Sequence, residues 1–320
     1  MSTLNMNTTR NYLAALLFCL APSLVLCVMP VAAGAQAAAA SLTPKHAEYN
    51  KLVAAAEAGA PADRQAAIAA AYKRLLQDEF NAAALKKASA DDLAFLFAAA
   101  DAAALHSNQE SYAKDMLLVF REQESRKLAD VKAYRKMYDV LFSTRLLPDA
   151  NKLLNENPDH FKDFSLSFRS APVISSEAPS EWTVDPNNNL LFRRTVLLPQ
   201  GWHVVVTAHP QSPALQAAMR DIAADSALRS ALRDHLKLIA PQDRSTDMRV
   251  FQAWNEAHAD SVMTIAFRER EWSMIDSWSV PAFYFVKDGK VVSKFAGWAG
   301  EGDKEKVREA LKLVRGAGVK

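Results

Sequence analysis

The chain has 320 residues, half of them hydrophobic, and a net charge of +2 from 38 basic and 36 acidic side chains. That length allows two ordinary domains with full cores. The near-balanced charge gives no electrostatic reason to expect nucleic acid or an anionic membrane as partner.

The first 37 residues read as a signal peptide. Arg10 is a positive flank, residues 13–31 are mostly apolar, and Ala35-Gln36-Ala37 fits a small-x-small cleavage site. Pro22 and Pro30 argue against a retained anchor, and Leu26 before Cys27 argues against lipidation. This predicts an exported protein, periplasmic or secreted, with no stable membrane span after processing. Cys19 and Cys27 are the only cysteines, and both lie in the leader. The processed chain is therefore expected to carry no thiol in an oxidising compartment.

Residues 38–167 predict a helical domain. Gly59 is the only glycine between Ala35 and Gln200, and the apolar positions repeat at helical spacing. Helices are expected over 62–78, from Ser89 as N-cap, over 110–127, over 131–143 and over 147–155, the last stopped by Asn157-Pro158. Tyr134, Tyr138, Leu141, Ala150, Leu153 and Pro158 resemble the large, small and terminal positions of a tetratricopeptide-type repeat. The signature tryptophan and leucine-glycine pair are missing, so a plain helical bundle is the alternative.

Residues 168–201 change texture. Four prolines between Pro172 and Pro199, and Asp185-Pro-Asn-Asn-Asn189, mark a linker with a small β extension. A strand over 190–198 is expected to pair with 182–184 and with 202–208. Residues 202–320 then alternate strands (202–208, 236–240, 262–267) with helices (212–224, 246–259, 269–277), which predicts an α/β sheet with helices on both faces.

The end of the chain carries the strongest pattern. Pro281 opens an apolar strand, Asp288-Gly289 forms a hairpin turn, the partner strand ends at Gly297, and an amphipathic helix follows. Val280-Pro281, Asp288-Gly289 and Gly297 fall in order where the thioredoxin-like superfamily places its cis-proline, hairpin and closing glycine. The chain from 202 on resembles that family. The resemblance implies a Cys-x-x-Cys pair after the first central strand, but those positions here hold Gln211 and Ala214, with Pro213 between them. It therefore implies a thioredoxin fold without redox chemistry of its own.

His209 and Ser212 are the remaining catalytic candidates. Ser212 before Pro213 suits a helix N-cap, and His209 has no orienting third residue. The histidines show no metal-ligand spacing, and no metal or cofactor is implied. The resemblance implies a backbone edge at Val280 and Pro281 able to take extended peptide, with Trp278 and Trp298 beside it. The sequence thus points to an exported protein-binding or scaffolding module of the cell envelope, of unknown oligomeric state. The alternative is a glutathione-dependent enzyme of the same superfamily that uses Ser212.

Overall fold

The computed structural model describes residues 43–59, 61–164, 166–198, 200–242 and 247–316, so the expected leader lies outside the described residues. Helices come first: α1 (Thr43–Ala58), α2 (Pro61–Leu75), the short α3 (Ala82–Lys87), α4 (Ala90–Ser107), α5 (Glu110–Ser125), α6 (Val131–Ser143) and α7 (Leu147–Glu156). Their starts follow local chemistry. Ser89 and Asp92 form a reciprocal capping box at α4, Asp130 caps α6, and Pro148 sits in the first turn of α7. α2 is shorter than the sequence suggested, because the chain tightens into a 3-10 turn over Gln77–Glu79. α1 packs on α2, α4 on α5, and α6 on α7.

Eight strands follow in one sheet: β1 (Ser167–Ser170), β2 (Ser180–Val184), β3 (Leu190–Thr195), β4 (Trp202–Thr207), β5 (Leu236–Ala240), β6 (Met263–Ala266), β7 (Ala282–Lys287) and β8 (Lys290–Ala296). Their order is β1-β3-β2-β6-β5-β4-β7-β8. β4, β5 and β6 run parallel, whereas β7 and β8 are antiparallel additions beyond β4. Asp288 and Gly289 take φ of 48° and 77°, the left-handed pair that a tight hairpin needs.

Two expectations are corrected here. β3 pairs with β2, and with β1, but not with β4. The Asp185 carboxylate accepts the amides of Asn187 and Asn188, closing the β2–β3 turn, and β2 then adds to β6 through Trp182↔Ile265. The hairpin thereby extends the far side of the sheet. Residues 269–277 form only a single 3-10 turn over Glu269–Glu271. Beyond it the Tyr284 hydroxyl donates to Ser277 O and accepts from Ser277 N, so backbone groups a helix would use are engaged elsewhere.

Helices consequently do not cover both faces. α8 (Pro213–Ala224), α9 (Ser226–Leu232), α10 (Met248–Ala257) and α11 (Glu301–Arg315) bury Leu215, Leu228, Phe251 and Val307 in the same core as Val204, Val206, Leu238 and Phe285. The alternate strand residues Val205, Ile239, Tyr284 and Val286 are covered by Val196, Trp272 and Ile275 from helix-free segments. α9 was missed from the sequence; Asp225, the residue directly after α8, caps it.

The described helices and sheet belong to one compact unit. Phe142 of α6 stacks on Trp182 of β2 at 4.9 Å. Arg145, 3% exposed, donates to the carbonyls of Phe142, Ala266 and Phe267 and lies 4.0 Å over the Trp182 ring.

Candidate functional site

The end of β4 and the start of β7 lie side by side, with Thr207 opposite Ala282. The last four residues of valine-rich β4, Val204 to Thr207, are buried, so its end is fixed in place. Thr207 uses this position. Its hydroxyl donates to Ser279 O and accepts the Ala282 amide at 2.8 Å. The Val280-Pro281 bond between these anchors is cis. The Pro281 carbonyl accepts from Gly297 N at 2.8 Å, and the proline itself is buried. Ser279 is exposed and Val280 half-buried, and the Val280 amide and carbonyl have no hydrogen-bond partner among the described residues. The result is a held, extended stretch of main chain with one open peptide edge.

Across from it, Ala208 to Ser212 turn into α8. Ser212 accepts from the Leu215 amide at 3.2 Å as the N-cap, and Pro213 takes the first helical position. His209 Nδ1 accepts from Gln211 N at 3.3 Å, and its ring meets Phe251 edge-on at 5.7 Å. No side-chain hydrogen bond joins His209 to Ser212 among the described residues, so the pair lacks the nucleophile–base geometry of covalent catalysis. Gln211 is exposed and Ala214 half-buried. Beside this loop an open cleft of about 590 Å³ is lined by Pro210, Gln211, Gln216, Arg249, Val250 and Trp254.

The two tryptophans stand apart. Trp298 donates to Asp221 Oδ2 at 2.9 Å and packs 5.5 Å from Phe283, tying α8 to the first face. Trp278 packs half-buried against the second face with Met274 and Val291. The structure thus groups His209, Gln211, Ser212, Val280 and Pro281, and places one indole on each side of the sheet. The sequence reading passed over Thr207 as an organiser. Its only signal was a single hydroxyl ending a run of valines.

No family model matches the chain, and no curated protein matches it. Solved structures similar to it include a thiol:disulfide interchange protein of the thioredoxin family from Chlorobium tepidum, 15% identical over 46% of this chain and 100% of that one, with a TM-score of 0.32. A thioredoxin-like protein from Bacteroides caccae is 10% identical over 90% of this chain and 99% of that one, with a TM-score of 0.31. The chain's own strand order, the proline ahead of β7 and the closing helix α11 define its class. It is an α/β protein of thioredoxin-like fold preceded by an all-α region. Among the described residues, no helix is long and apolar enough to cross a membrane.

Proposed function

We propose that this protein is an exported, redox-inactive binding module. It takes an extended segment of a protein or peptide along the Val280 edge, as a scaffold in the cell envelope. The observation that carries this reading is the Val280 main chain, unpartnered among the described residues, at the start of a strand paired with β4, whose following loop holds Gln211 and Ala214 where the resemblance would place cysteines. Main-chain pairing needs no sulfur, and the adjacent cleft offers room for a bound segment's side chains. Trp278 and Trp298 add apolar area on either side. The helix pairs α1–α2, α4–α5 and α6–α7 serve in this reading as a repeat-like second surface for the same partner.

The test is hydrogen exchange on the processed protein with an extended-peptide library, alongside an insulin-reduction assay with and without glutathione. Slowed exchange of the Val280 amide on peptide binding, and no reductase turnover, are expected. Exchange slowed elsewhere only, or turnover that Ser212→Ala abolishes, would overturn the reading.

A further inference from the structure

A second cleft, also of about 590 Å³, opens where the α4–α5 turn meets the residues leaving β6. That volume lies within the range of small-molecule sites, about 300–1,000 Å³. Unlike the cleft beside Gln211, its wall is polar, with Glu110, Thr144, Gln242, Arg268, Glu269 and Arg270 contributing. Arg268 and Arg270 reach the same Glu110 oxygen, at 3.1 and 3.4 Å, so one carboxylate is shared by two guanidinium groups. Arg270 is 71% exposed and directs one N–H to that oxygen. An exposed contact of this kind contributes little to stability.

Behind this wall the charge is positive. Arg145 follows Thr144 in the chain, and its guanidinium hydrogen-bonds only to carbonyls. Among the described residues no carboxylate forms an ion pair with it. Arg145, Arg193 and Arg268 converge on the Phe267 ring, at 5.6, 3.5 and 5.1 Å from its centroid. Among the described residues here, the four guanidinium groups of Arg145, Arg193, Arg268 and Arg270 face three carboxylates, those of Glu110, Glu269 and Glu271. Burial, then the Arg268 and Arg193 charges, push the Arg145 pKa down to about 9, against the opposing pull of Glu269 and Glu271. Guanidinium forks match carboxylate and phosphate oxygens two at a time.

We infer that this cleft binds an anionic ligand through a carboxylate or phosphate group seated on Arg268 and Arg270, and that Glu110 holds those arginines until the ligand displaces it. The site is separate from the Val280 edge and stands or falls independently of the proposed function.

The test is calorimetric titration of the processed protein with inorganic phosphate, and with a short N-acetylated peptide bearing either a free C-terminal carboxylate or an amide. Saturable binding of phosphate or of the acid form is expected, with the amide inert; which of the two binds names the ligand's source. Glu110→Gln frees both arginines and is expected to tighten binding roughly tenfold, and Arg270→Ala to weaken it by a similar factor, each equivalent to about 1.4 kcal/mol. Arg270 is exposed, so its removal leaves the fold intact, which circular dichroism checks. Absence of saturable binding in both the native protein and Glu110→Gln overturns the inference. So does binding that Arg270→Ala leaves unchanged.

Discussion

Thr207 shows how much a single hydroxyl can organise. It fixes Ser279 and Ala282 on either side of the cis bond. Thr207→Val keeps the shape and removes both hydrogen bonds, leaving a buried amide without its acceptor. The expected loss is about 1–3 kcal/mol, read as a lower urea midpoint. If the proposed function holds, peptide affinity falls further than stability does. Asp115 offers a residue-level test with a pH signature. It accepts from the Tyr72 hydroxyl at 2.9 Å, and burial raises its pKa above the ordinary 3.8, with the Tyr72 hydrogen bond opposing the shift. The folded state therefore favours the protonated carboxyl. Its contribution is fully present below 3.8 and is lost as pH rises through the higher folded value. Asp115→Asn, which still accepts from Tyr72, should be more stable than the native protein at neutral pH and lose that advantage in acid. Urea midpoints at the two pH values decide it.

At the level of elements, the sequence was informative wherever local chemistry decides. The Ser89 cap, α6 with its bounds, Pro213 at the start of α8 and the Asp288-Gly289 hairpin were all legible, since each needs only neighbours in the chain. What escaped depended on distant partners. The partners of β3 were misread because an apolar strand does not say which edge it joins, and Trp182 settles that by reaching β6. The expected helix over 269–277 stops after the turn at Glu271, and at its far end the Ser277 backbone is held by Tyr284, seven residues on. Of the candidate site, the proline ahead of β7 was readable from its place before the hairpin. Thr207 was not, since its role exists only across two strands. Ser89→Ala should cost about 1 kcal/mol, by loss of the cap at α4. Gly289→Ala forces a side chain onto a left-handed backbone and should cost about 1–2 kcal/mol. Thermal midpoints of the two variants check both values.

Taken whole, the molecule is joined through its middle. Phe142 of α6 and Arg145 of the turn after it grip Trp182 and the end of β6, and one continuous core runs from α4 to α11. Chemical unfolding followed by tryptophan fluorescence and by helical circular dichroism should therefore give coincident curves. Since all six tryptophans lie at or beyond Trp182, fluorescence reports the sheet while dichroism weights the helices. Two separated midpoints would contradict a shared core.

The shielding of the second sheet face is different in kind. Its cover around Trp272 and Ile275 has little regular backbone bonding of its own, and the buried Trp272 Nε1 has no partner among the described residues. A cover of turns, pinned through its backbone only near Ser277 and Ser279, can peel back while the strands beneath it stay paired. Proteases should accordingly find their first cut between Ser273 and Ser279, yielding two fragments that migrate together until denaturant parts them.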